Sequence, residues 1–224
     1  MEVTFALVII MLTMTTVSTN LKCPCVCNCT QAIGKLYVEC ENETIPNNIP
    51  TDVTNLVLSN LIYPVFPLKI FSGMTKLKEL KIIISNISHL HNDTFFGLLK
   101  LQVLRLRRIQ LQSIGIRLFK PLISIKTIEI SNNAVLKLKA ILQSSYGLRS
   151  SPIEEIIVFC NEVNPMKRNV LVPEDFFNLQ YTKVKKIDIH SSRICMNKGT
   201  FNSYLPTTIS VVLFLVYMNL YLLG

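Results

Sequence analysis

Between residues 53 and 189 the apolar positions repeat as a three-point pattern, aliphatic-x-x-aliphatic-x-aliphatic. The points are Val53, Leu56 and Leu58, then Leu77, Leu80 and Ile82, then Leu101, Leu104 and Leu106. Ile125, Ile128 and Ile130 follow, then Ile153, Ile156 and Val158, and finally Val184, Ile187 and Ile189. The starts lie 24, 24, 24, 28 and 31 residues apart. Polar residues fill the intervening places, among them Lys78, Glu79, Lys81, Arg105, Lys126, Glu129, Glu154, Glu155, Lys185, Lys186 and Asp188. Such alternation predicts a short strand with one buried face in every unit. A second register agrees: Phe71, Phe95 and Phe119 are also 24 apart, each six residues before a start, and should stack beneath the convex side. One unit cannot bury its apolar face alone, whereas stacked units share a continuous core. The expected fold is therefore an α/β repeat solenoid, a curved parallel sheet with a mostly irregular or short-helical convex side. Six strands about 4.8 Å apart give a concave sheet roughly 25–30 Å long. The ninth position of each unit, where Asn usually bonds the inner turn, holds Leu61, Ser85, Ile109, Asn133, Asn161 and Ser192. Leu and Ile cannot make those bonds, so the early units should carry a less regular ladder.

The two ends break this pattern. Glu2 is the only charge in residues 1–21, and there is none after Lys198 in a chain of 224 residues. The run Phe5 to Leu12 is too short to span a bilayer, and small residues follow it. Residues 1–19 thus read as a signal peptide, although the segment before the run carries Glu2 and no Lys or Arg. At the other end, three readings of 204–224 stay open. They are a transmembrane helix, a lipid-anchor signal, and a seventh repeat, Val211-x-x-Phe214-x-Val216. The water-facing places of that seventh unit would be Val212, Leu213 and Leu215, which favours a membrane-directed tail. No basic residue follows it, which favours the lipid anchor. The expected organisation is signal 1–19, cysteine-rich segment 20–52, about six repeats over 53–203 and an apolar tail 204–224.

Seven cysteines stand at 23, 25, 27, 29, 40, 160 and 195, five of them close behind the signal-like segment. That context favours disulfides over a thiolate zinc site. Sequons at Asn42, Asn86 and Asn92 agree with secretion; a fourth at Asn28 contains Cys29. Cys160 and Cys195, in neighbouring units, either bridge or remain separate thiols.

Cys23-Pro24-x-x-Cys27-x-Cys29 with Val38-x-Cys40 resembles the N-terminal cap of extracellular leucine-rich-repeat proteins. Ile45-Pro46-Asn47-Asn48-Ile49-Pro50 looks like the segment joining such a cap to the first repeat, and Asp93-Thr94-Phe95-Phe96-Gly97-Leu98 is similar to repeat interiors. The resemblance covers about residues 23–195. It implies pairs Cys23–Cys29 and Cys27–Cys40 and leaves Cys25 unexplained. Ser151-Pro152-Ile153-Glu154-Glu155-Ile156 looks like the start of the lengthened repeats of Toll-like receptor ectodomains, and the 28- and 31-residue spacings fit. A C-terminal cysteine cap and a signalling domain are missing from that comparison.

The net charge is +9, and 23 cations against 13 anions leave +10 once Glu2 is removed with the signal. Such a balance suits an anionic partner. The fifth positions run Val57, Lys81, Arg105, Glu129, Ile157 and Asp188, with Arg107 and Arg108 at the seventh and eighth positions of the third unit. Lys81, Arg105, Arg107 and Arg108 are therefore the expected docking residues on the concave face, for an anionic ligand or an acidic protein surface. Like charges on neighbouring strands repel unless something anionic uses them. The apolar alternative on the same face is Ile83, Ile84 and Phe159. No catalytic constellation, metal motif or cofactor loop stands out, and His89, His91 and His190 read as surface residues in turns or on a strand. The expected function is extracellular binding, by resemblance in innate immune recognition, with other leucine-rich-repeat receptors as further partners. The alternative is adhesion or guidance by the same architecture; no enzyme activity is expected.

Overall fold

In the computed structural model the described residues are 23–133, 135–159, 169–171, 173–190, 194–196 and 210–214. The chain opens with an antiparallel hairpin of β1 (Cys27–Ala32) and β2 (Lys35–Glu41). It turns at Ile33 and Gly34, both at positive φ (48° and 69°). Disulfides Cys23–Cys29 and Cys27–Cys40 staple this hairpin, in the pairing the cap resemblance implies. Cys25 is a free, exposed thiol. The position of Cys160 and the side chain of Cys195 fall outside the described residues.

From β2 onward the main sheet is parallel. The strands β3 (Asn55–Ser59), β5 (Glu79–Ile83), β7 (Val103–Arg107), β9 (Thr127–Ser131), β10 (Glu155–Phe159) and β12 (Lys186–His190) add in order. All six sequence repeats become strands in the expected register, with Leu56, Leu80, Leu104, Ile128, Ile156 and Ile187 aligned and buried. Two features enlarge the sheet beyond the six expected strands. The cap hairpin joins it at one edge, and β14 (Ser210–Phe214) pairs with β12 at the other. Of the three open readings of the tail, a strand at 210–214 is what the seventh repeat expects. Its register differs from the one the sequence suggested, since Val211 and Leu213 lie beside Ile187 and Ile189. The stretch Val211 to Val216 is apolar at every position, so alternation cannot choose between registers three residues apart. The rest of 204–224 falls outside the described residues.

A small second sheet, β4 (Ile62–Val65), β6 (Asn86–Leu90) and β8 (Ser113–Ile114), runs along the descending side of the coils. The longer later units spend their extra residues on helical turns: α1 (Leu138–Ser144) with a 3₁₀ turn Ser145–Leu148, then a 3₁₀ segment Pro173–Tyr181. The helix forms because Leu138, Ile141 and Leu142 fall on one face and are buried. The parallel pair β11 (Asn169–Leu171) and β13 (Ile194–Met196) joins the fifth unit to the sixth.

The phenylalanine spine begins earlier than its 24-residue register suggests. Phe66 stacks on Phe71 at 5.9 Å between ring centres, Phe71 stacks on Phe95 at 6.2 Å, and Phe119 is buried farther along. Gly97 is required where the coils approach, because a Cβ there would stand 2.8 Å from the Cα of Ser72.

Candidate binding surface

Alternation sends every second side chain of the main sheet away from the core, onto one open face. Cross-strand register then fixes its neighbours. One row reads Glu39, Val57, Lys81, Arg105, Glu129, Ile157 and Asp188. The next row holds Tyr37, Asn55, Glu79, Val103, Thr127, Glu155 and Lys186. The third holds Glu41, Ser59, Ile83, Arg107, Ser131 and Phe159. Lys81 and Arg105 are thus cross-strand neighbours, with Arg107 one step along, as the repeat count predicts.

These cations are already paired. Lys81 Nζ lies 3.2 Å from Glu79, and Arg105 bonds the same carboxylate. Arg105 Nε also lies 3.4 Å from Glu129. Arg107 grips Glu129 side-on through Nε and Nη2, the latter donating at 2.6 Å. Asn55 Nδ2 donates to the other oxygen of Glu79 at 2.9 Å, and the Ser131 hydroxyl donates to Glu129 at 3.2 Å. The expectation of a repelling patch therefore fails: Glu79 and Glu129 sit inside it. Glu129 lies directly beside Arg105 in the ladder. Burial raises the Glu79 pKa, but Lys81, Arg105 and Asn55 together outweigh it and hold the carboxyl below its usual 4.5. The Glu129 hydrogen bonds raise the Arg107 pKa above its ordinary value.

Arg108 is not part of this network. It follows β7 at φ 52°, the left-handed region, and is exposed. Asn60, Ile84 and Asn132 hold the same place in their coils at φ 61°, 45° and 56°. Asn accepts this conformation readily; Ile and Arg seldom do. One residue on, the inner-turn ladder alternates. Ser85 Oγ accepts from Leu61 N at 3.1 Å, and Asn133 Oδ1 accepts from Ile109 N at 3.1 Å and from Leu111 N at 3.4 Å. The Leu61 and Ile109 side chains are buried instead and supply no such bond.

Toward the cap the face holds a cleft of about 260 Å³, lined in part by Tyr37, Glu39, Asn55, Glu79 and Lys81. Toward the other end Phe159 is 39% exposed, and Ile84, just past β5, is 56% exposed. The sequon asparagines Asn86 and Asn92 are exposed and lie off the main sheet, on the descending side. Asn92 Oδ1 accepts from Arg117 N at 2.8 Å, and Asn42 Nδ2 donates to Thr44 O at 3.0 Å. His89 is on β6, not in a turn, with Nδ1 at hydrogen-bond distance from the Ser113 hydroxyl. Among the described residues no group of three or more His, Cys, Asp or Glu could hold a metal, and no helix is long and apolar enough to cross a membrane.

Among solved structures the chain is similar to human 5T4 (Wnt-activated inhibitory factor 1, trophoblast glycoprotein), with a TM-score of 0.61 at 18% identity. The alignment covers 78% of this chain and 64% of that one. The fold is a leucine-rich-repeat solenoid with an N-terminal disulfide cap. No protein-family profile matches the sequence, and no curated protein matches it either. In this solenoid the open sheet face is the concave face, and the residues of the charge network line its centre.

Proposed function

We propose that this chain is an extracellular binding module, not an enzyme, and that it recognises a protein through its concave face. The observation that carries the proposal is the character of that face. It offers a long row of charged, aromatic and aliphatic side chains, mostly half-buried, and its cleft of about 260 Å³ falls below the size of ordinary small-molecule pockets. A cleft that size suits one or two side chains of a macromolecular partner. The disulfide cap supports an oxidising, extracellular setting. Lys81, Arg105 and Arg107 remain docking residues in this proposal, but as half of a balanced network. An acidic partner has to compete with Glu79 and Glu129 for them, whereas Arg108 is exposed and makes no ion pair among the described residues.

The narrower reading, innate immune recognition of the Toll-like-receptor kind, rests on the segment Ser151 to Ile156 and the 28- and 31-residue spacings. Glycans on Asn42, Asn86 and Asn92 belong to the same proposal.

A glycan wedge tests the site. Arg105→Asn with Arg107→Thr places a sequon on β7, while Val135→Asn with Lys137→Thr places one ahead of α1, on the convex side. The full chain is screened against secreted and cell-surface proteins, and each hit is re-measured with both variants. Loss of binding with the β7 glycan alone is the expected result. Loss with the convex glycan alone, or a screen without any hit, counts against the proposal.

A further inference from the structure

We propose that the rim of the sheet where the chain enters its strands is a second binding site, for a sulfated glycan chain. Its contacts are Lys76, Lys78, Lys100 and Lys126. Each coil makes the same tight turn before its strand: Leu77 N donates to Met74 O, Leu101 N to Leu98 O and Ile125 N to Leu122 O. Lys76 and Lys100 thus hold one place in consecutive coils. Just past the turn, Lys78 N donates to Thr54 O, Gln102 N to Lys78 O and Lys126 N to Gln102 O, each at 2.8 Å. These rungs line the backbones up along the rim. All four lysines are exposed, and none makes an ion pair among the described residues. The next rung carries Glu154, which Lys185 engages at 3.5 Å.

This is the reverse of the concave face, where every cation of the central cluster has a carboxylate. Four unpaired cations on three neighbouring coils repel one another, and their field extends along a line that advances about 4.8 Å per coil. A line of ammonium groups fits a linear polyanion. The residues between the lysines on this rim are Thr75, Leu99, Gln102, Ile123 and Ser124. None is aromatic, so the rim lacks the stacking platforms that single-stranded nucleic acid uses. In an oxidising, extracellular compartment, the abundant linear polyanions are sulfated glycans. The proposal is independent of the concave site.

The test uses the full chain made in secretory cells and immobilised heparin as the probe. Unaltered protein is retained at physiological ionic strength and elutes as salt rises. Changing the four lysines to Glu weakens binding by at least about tenfold, several-fold per cation. A Lys→Gln set serves if charge reversal impairs folding, which circular dichroism reports. Arg105→Gln with Arg107→Gln leaves heparin binding unchanged. The proposal is overturned if the folded rim variant is retained like the parent, or if the concave variant loses retention. It is equally overturned if the unaltered chain ignores heparin, or prefers phosphatidylserine vesicles or single-stranded DNA.

Discussion

The concave face and the rim beside it carry similar numbers of cations, drawn from the same repeats, in opposite electrostatic states. On the face, Lys81, Arg105 and Arg107 share two carboxylates, and Glu129 is nearly buried beneath its partners. On the rim, Lys76, Lys78, Lys100 and Lys126 stand in water with none. Lys78 and Lys81 are three positions apart, yet one faces solvent at a coil edge and the other pairs with Glu79. The difference teaches that basicity along a repeat does not locate an anion site. What matters is whether a carboxylate, in the same row or the next, pairs with the cation.

Removing the buried carboxylate strains that difference most. Glu129→Ala leaves Arg105 and Arg107 facing each other without their shared anion and should destabilise the fold by about 1–3 kcal/mol in urea unfolding. An unchanged midpoint would mean that the network contributes nothing. Glu79 is more exposed, so Glu79→Gln should cost about 1 kcal/mol. Its pH signature is more specific. Because the folded pKa of Glu79 is depressed, its contribution is complete above the ordinary value of 4.5 and disappears as pH falls through the folded value. Acid unfolding curves of the parent should therefore steepen below that pH, and those of Glu79→Gln should steepen less. Relief of the left-handed backbone at Arg108 should act the other way: Arg108→Asn should gain about 0.5–1 kcal/mol by thermal unfolding. The rim gives the smallest effect. Each Lys→Ala change there should shift stability by less than about 0.5 kcal/mol. A loss above that would reveal a partner for the lysine within the fold.

Much of the fold was legible because burial in a solenoid is periodic. Six strand positions and their register followed from Val53, Leu77, Leu101, Ile125, Ile153 and Val184. The cap pairing followed from resemblance to known caps. The β14 register escaped for the opposite reason, since a run without polar residues has no period to read. Phe66 escaped because it occupies its place in the spine once and has no counterpart 24 residues on, where Leu90 stands. The charge network was only half visible. Counting along the fifth position found Lys81, Arg105 and Glu129, but Glu79 sits at the third position and completes the cluster from the neighbouring row. Side-chain reach across rows is a property of rotamers, which a one-dimensional template does not hold. The alternating inner ladder, by contrast, was readable in kind. Asn133→Ala should cost about 2–4 kcal/mol, because Asn133 accepts from two backbone N–H groups and donates to Leu106 O and Ser131 O. Ser85→Ala, which removes one accepted bond and one donated bond, should cost about 1 kcal/mol.

Lysine footprinting addresses the contrast between face and rim most directly. The folded full chain is acetylated briefly with and without heparin, and each lysine is quantified by mass spectrometry. The account predicts that heparin protects Lys76, Lys78, Lys100 and Lys126 together and leaves Lys81 unchanged. Protection centred on Lys81, with the rim lysines still reactive, would contradict it and return the anion site to the concave face.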